Sequence, residues 1–341
     1  MRIILFSLIA LMTFNINISY CQLKWKLNLE TGNYSTSNTI LKEKNDLSIR
    51  SEGEVKYNYD AQSSKAFIQI QARPEIFGIL NKLYTFKLKA FGGFYKSNEN
   101  YDWGINFSAQ NHFYSGETIT ADFATYFIQT NLSYPVSSVG LLVPNIGYAY
   151  QNINFNGRRS IDVYFADLKF EQLFNQYFRI GYGIYGERFI LVNKQNFLNL
   201  SEENSNSGFR AGPQLSINYI RDFFLSGEAR FLFHESKVTQ YPSYETLFRF
   251  IGGKILTEDL TLMLLVDFYA RKFSNENSQS KSSNLLYTPI NLENRFYLKL
   301  SYDVDENWEI FSKAGYSKEY LYDRDLSLSG WSFSIGLSLT N

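Results

Sequence analysis

Apolar and polar residues alternate one by one along most of this chain. The rhythm is plainest in Phe223–Leu225–Gly227–Ala229–Phe231–Phe233 and in Leu260–Leu262–Leu264–Val266–Phe268–Ala270, and it returns in Trp331–Phe333–Ile335–Leu337–Leu339. A period of two is the signature of a β-strand, whose successive side chains point to opposite faces. The pattern predicts strands near 23–33, 47–59, 66–73, 83–95, 102–113, 121–134, 140–151, 161–170, 177–188, 208–219, 223–234, 244–255, 260–271, 291–303, 308–317 and 328–340. Pro74 is expected to cut the third of these short, because proline cannot donate to a ladder. The alternation also slips at Ala166–Leu168 in the eighth.

The connections carry a second pattern. Short polar turns such as Ile220–Arg221–Asp222, Leu256–Thr257–Glu258–Asp259 and Val304–Asp305–Glu306–Asn307 alternate with longer stretches at 34–46, 74–82, 114–120, 152–160, 189–207, 235–243, 272–290 and 318–327. Further short turns are expected at 171–176 and over Pro135–Val139. Sixteen strands result, with fourteen as the alternative count, and both chain ends fall on the short-turn side. Strands of about 9–11 residues suit a tilted crossing of a bilayer. The fold class read from this is all-β, a transmembrane antiparallel up-and-down β-barrel. A secreted soluble sandwich also alternates, with one face wet. The continuous apolar face argues for the barrel, as do the aromatic strand ends at Tyr101, Trp103, Trp308 and Trp331.

Composition sharpens this reading. The chain has 341 residues with 33 basic and 33 acidic side chains, so no charge surplus favours nucleic acid. Aromatics make up 18% of the chain, which suits girdles at two membrane interfaces. Residues 1–21 read as a signal peptide: Arg2 is the positive n-region, Ile3–Phe14 the apolar core, and Ser19–Tyr20–Cys21 the cleavage site. The alternative makes Cys21 a lipidated cysteine, which Tyr20 argues against. Residues 22–341 are then one barrel domain without cysteine, and disulfide chemistry drops out. As a whole the chain resembles Gram-negative outer-membrane β-barrels. That resemblance implies a cell outer membrane location and insertion by barrel-assembly machinery reading the terminal segment Ser329–Asn341, whose last two residues, Thr340–Asn341, depart from the aromatic ending expected.

If the apolar parity faces lipid, the other parity faces the lumen. A charge facing lipid at mid-membrane costs roughly 2–4 kcal/mol for Arg or Lys, so charges should gather on the inner parity. They do: the inner set includes Arg50, Glu52, Glu54, Lys56, Lys87, Lys89, Arg295 and Lys299. The candidate lumen-lining residues are a basic stripe of Arg210, Arg230, Arg249, Arg271 and Arg295 interleaved with Glu228, Glu245 and Asp267. Such residues serve either ion selectivity or a network that stiffens the interior. Large inner groups such as Phe224, Tyr269, Tyr297 and Phe311 predict partial filling.

Other chemistry is sparse. The two histidines, His112 and His234, lack metal-ligand spacing, and no metal or cofactor is expected. His234–Glu235–Ser236 resembles the His-x-Ser core of outer-membrane phospholipase A, which implies His234 as base and Ser236 as nucleophile. Lys237–Val238 and Phe231 depart from that pattern, and parity points His234 inward, so the chain reads as non-enzymatic. Glu202 and Glu203 read as a solvated loop rather than a calcium site. Gly181 and Gly183 read as points of close packing rather than a phosphate loop. The expected function is a passive porin-like channel for small polar solutes. The alternative is a non-transporting surface or scaffold barrel, an accessory of an outer-membrane complex or a homo-oligomer, working through the loops at 189–207 and 272–290.

Overall fold

The computed structural model describes residues 21–36, 45–61, 63–76, 78–116, 120–154, 158–197, 200–236, 242–274, 294–320 and 327–341. Residues 1–20 of the expected signal peptide and most of the expected loop 272–290 fall outside them, whereas Cys21 opens the first strand. Sixteen strands follow one another: β1 (Cys21–Thr36), β2 (Asn45–Ala61), β3 (Ser64–Ile76), β4 (Tyr84–Ser97), β5 (Asp102–Ser115), β6 (Thr120–Ser137), β7 (Gly140–Asn154), β8 (Arg158–Asn175), β9 (Phe178–Phe197), β10 (Leu200–Ile220), β11 (Phe224–Ser236), β12 (Ser243–Ile255), β13 (Leu260–Phe273), β14 (Asn294–Asp303), β15 (Trp308–Tyr320) and β16 (Ser327–Thr340). Each pairs antiparallel with its sequence neighbours, and β1 pairs with β16, so the sheet closes into a barrel. The up-and-down sixteen-stranded barrel read from the alternation is the architecture found.

Burial is inverted relative to a soluble protein. Leu215, Ile184 and Ile335 are 50%, 65% and 53% exposed, whereas Arg210, Gln214 and Asp267 are 1–2% exposed. Apolar side chains therefore coat the outside and charges line the inside, as hydrocarbon surroundings demand. Exposed aromatics mark both ends of the coat: Trp25, Tyr101, Tyr177 and Trp308 at the short-connection rim, and Phe113, Phe209, Tyr244 and Trp331 toward the long connections. Aliphatic residues such as Ile128, Ile146, Ile184 and Leu215 occupy the band between.

Several strands run past their expected ends. β9 and β10 stay paired out to Phe197↔Leu200, so the stretch 189–207 is mostly hairpin rather than loop. Likewise β7 and β8 remain paired to Asn154↔Arg158 within the expected loop 152–160. The expected turn at 171–176 belongs largely to β8, which reaches Asn175. No slip occurs at Ala166–Leu168: the register is unbroken there, with Ala166 and Leu168 outward and Phe165 and Asp167 inward. The apparent slip arises because Ile161, Val163 and Phe165 make the inward face apolar here, while Asp162 sits on the outward one.

Pro74 does not end β3. The β2–β3 ladder lapses between Arg50↔Glu75 and Gly53↔Ala72, while Pro74 stays opposite Phe86 on β4. Pro144 and Pro213 repeat this, each opening a gap on one flank and staying paired on the other. A strand can therefore carry proline if only one ladder needs its missing N–H. Glycines do related work. A Cβ on Gly183 would meet the Leu168 carbonyl oxygen, and one on Gly212 the Phe231 carbonyl oxygen. These glycines let adjacent backbones approach closely.

The barrel closes at the seam between β1 and β16. β1 and β16 pair from Lys26↔Thr340 to Thr36↔Gly330. Across it, Glu30 accepts hydrogen bonds from Ser334 Oγ (2.5 Å) and Lys313 Nζ (2.9 Å), and lies 3.4 Å from Arg50. Arg50 in turn reaches Glu75 at 2.6 Å, so ionic contacts run from β15 through the seam to β3. Glu30→Leu is expected to lower unfolding stability by about 2 kcal/mol, below the 3–5 of a fully buried pair because Glu30 and Arg50 are 14% and 23% exposed. Urea titration of the refolded barrel measures this; an unchanged midpoint would show that the contact contributes nothing.

Candidate functional site

The inward parity brings the charges together in separate groups. Strands β9 to β13 carry the first. Arg210 bonds Glu187 through Nε at 2.7 Å and Glu245 through Nη1 at 2.8 Å. Glu245 also accepts from Arg271 at 3.0 Å, and its Oε1 lies 2.9 Å from His234 Nδ1. Glu245, Arg210, His234 and Glu187 side chains are at most 3% exposed. A second group lies on β12–β14, where Asp267 takes Arg249 at 2.8 Å and Arg295 at 2.6 Å. Arg230 and Glu228 pair at 2.6 Å on β11.

The expected basic stripe is thus a ladder of ion pairs. Each of Arg210, Arg230, Arg249, Arg271 and Arg295 has a carboxylate within 3 Å. Such pairing follows from geometry: inward side chains on neighbouring strands face each other at cross-strand distance, and a desolvated charge needs a partner. Each pairing also reduces the charge this wall can offer to a solute.

Surplus positive charge gathers elsewhere. A cavity of about 260 Å³ is bounded by β2–β5 on one side and β13–β15 on the other. Among the described residues, six cations line it: Arg50, Arg73, Lys87, Arg295, Lys299 and Lys313. Among the described lining residues only Glu75 is a carboxylate. Tyr114, Tyr297 and Thr85 add hydroxyl groups. Arg73, Glu75 and Lys313 escaped the sequence reading, because positions 50–87 and 295–313 become neighbours only when β1 meets β16. A second cavity, of about 270 Å³, lies against β6–β9 and β11–β12. Its lining is the opposite in sign, with Asp167, Glu187 and Glu228 against Lys169 and Arg230.

Part of the interior is apolar. Tyr114, Ile153, Ile161, Val163, Phe189 and Leu191 face inward near the long connections and are 2–3% exposed. Phe311 is buried inside as well, at 6%. Each buried side chain of this size contributes roughly 1.5–3 kcal/mol, so these residues hold the interior shape as firmly as a soluble core would.

His234, Ser243 and Glu245 lie together, but not as a relay. Both Ser243 Oγ (3.2 Å) and Glu245 Oε1 (2.9 Å) approach the same ring nitrogen, Nδ1. A nucleophile-activating triad needs the hydroxyl and the carboxylate on opposite nitrogens. The side chain of Ser236 lies outside the described residues, as do those of Glu202 and Glu203. No metal-capable cluster occurs among the described residues.

No family description matches the chain, and no curated protein matches it. Among solved structures it is similar to CdiB from Acinetobacter baumannii, at 8% identity and a TM-score of 0.46, with 93% of this chain covered. The chain spans 60% of the length of that CdiB. It is also similar to the outer-membrane protein OmpT of Vibrio cholerae, at 12% identity, TM-score 0.45 and coverage of 94% and 98% of the two chains. The P. putida toluene transporter TodX is similar at 10% identity and TM-score 0.39, covering 97% and 92%.

Proposed function

We propose that this protein is an outer-membrane channel through which small polar solutes diffuse passively. The observation that carries the reading is the inversion of the barrel: an apolar coat outside, and a charged interior that keeps two cavities of about 260 and 270 Å³. Residues 1–21 direct export in this reading, and barrel-assembly machinery inserts the mature chain among outer-membrane lipids. Barrels of sixteen strands can leave an aqueous channel. Here ion-paired and aromatic side chains occupy much of that width, so solutes are sorted by size and charge. The candidate lumen-lining residues Arg210, Glu228, Arg230, Glu245, Arg249, Asp267, Arg271 and Arg295 act mainly by fixing the wall against which solutes pass.

The refolded mature chain in a planar bilayer is expected to give steady conductance steps, smaller than those of a wide, water-filled barrel of equal strand number. Protein that shows heat-modifiable gel mobility yet conducts nothing would end the channel reading. The inward apolar cluster from Tyr114 to Leu191 favours a second reading in that event: a closed scaffold barrel working through its long connections.

A further inference from the structure

Among the described residues, the ion pairs inside the barrel are uneven in depth. Asp267 is 1% exposed, whereas the two arginines it holds, Arg249 and Arg295, are 51% and 30% exposed. Glu75 is 4% exposed against 23% for Arg50. Arg271 with Glu245 and Arg179 with Glu171 lean the same way. Lys299 and Glu309 are close to even, and Arg230 with Glu228 runs the other way, at 28% and 41%. The reason is side-chain length. A short carboxylate stays against the sheet, while an arginine stem carries its guanidinium further toward the lumen. A pair of this kind is neutral as a sum, yet the member that a passing solute meets is the cation. Arg249 stands opposite Glu228 in the β11–β12 register but takes Asp267 as its partner. From the facing wall, Lys89 on β4 interacts electrostatically with Arg249 and Arg295, and with Glu54 on β2. Cations from two walls thus converge on one stretch of the interior.

We propose that the channel prefers anions and that Arg249, backed by Arg295, sets the preference. Arginine and lysine lining a pore favour anions, as acidic rings favour cations. The field of a charge at the lumen surface reaches about 8–10 Å at physiological ionic strength. Solutes that squeeze past ion-paired and aromatic side chains travel within that reach. Low-dielectric walls focus the field and concentrate the opposite charge near it. The inference rests on the channel reading and names its solute class, small anionic solutes.

The test is the reversal potential of the refolded mature chain in a planar bilayer under a potassium chloride gradient. Chloride is expected to permeate severalfold more readily than potassium. The preference should shrink in concentrated salt, where screening shortens the field. Arg249→Gln should move the reversal potential toward zero, and Glu228→Gln should move it further to the anion side. Arg249→Lys keeps the charge and should leave it nearly in place. Opposite shifts from two facing residues separate an effect of charge from one of shape. Should Arg249→Gln fail to fold, as read by gel mobility, Lys89→Gln should shift the potential in the same direction. An unselective or cation-selective wild type overturns the proposal, as does an unchanged reversal potential in folded Arg249→Gln. A folded barrel without conductance removes the channel and this inference together; conductance without anion preference removes this inference and keeps the channel.

Discussion

Glu245→Ala is expected to lower the unfolding free energy by about 3–5 kcal/mol, the cost of breaking a buried ion pair from one side. Its carboxylate is 0% exposed and holds three partners at once: Arg210, Arg271 and His234. Truncation leaves two guanidinium groups facing each other across β10–β13. Arg210, at 1% exposure, cannot turn to solvent to recover hydration. Glu187 still pairs with it, so the barrel should assemble but unfold at lower urea. Glu245→Gln should lose less, because an amide oxygen keeps one acceptor for Arg210 while the charge is gone. Urea-induced loss of heat-modifiable mobility, measured for the wild type and both variants, gives the order. Equal midpoints for Glu245→Ala and wild type would mean that the interior is hydrated enough to screen these charges.

A second large effect tests which way the strands face. Leu215→Arg should cost roughly 2–4 kcal/mol, the penalty for an arginine on the lipid face at mid-membrane depth. Ser216→Arg, one residue along the same strand, points inward and should cost far less. Leu215 is 50% exposed and stands opposite Tyr182 and Ala229, with no carboxylate across either ladder. Equilibrium unfolding in lipid vesicles would compare the two. A larger loss for Ser216→Arg would invert the assignment of inside and outside for β10 and, through the continuous register, for its neighbours.

The strands were legible because hydrocarbon on one side and charge on the other impose a strict two-residue period. Where the interior itself turns apolar the period fades, as at Ile161 and Val163, and the sequence then suggests a slip that the register lacks. Proline misled in the opposite way. A single N–H is missing at Pro74, yet a strand has two flanks, and sequence does not say which flank the loss falls on. Strand ends at 189–207 were hidden because Asn, Ser and Glu dominate there, a loop composition that the β9–β10 pairing overrides. Parity alone put Arg210, Arg230, Arg249, Arg271 and Arg295 on one face, but did not show their carboxylate pairing, which breaks the expected stripe into separate groups. The cation-rich cavity was not legible, since Arg50, Arg73 and Lys87 meet Arg295, Lys299 and Lys313 only through ring closure.

Ring closure also sets the order of events in folding. Fifteen of the sixteen pairings join strands adjacent in sequence, and they can form as successive hairpins. The sixteenth brings Ser334 to Glu30 across 304 positions. By logarithmic scaling, closing a loop of that length costs roughly 3 kcal/mol more than closing one of ten residues. Until that step the protein is a curved sheet with two unpaired edges, β1 and β16, each able to template another chain. Intramolecular closure is independent of concentration, and edge-to-edge association is not. The seam is therefore where crowding at the membrane decides between one closed barrel and an open-ended aggregate.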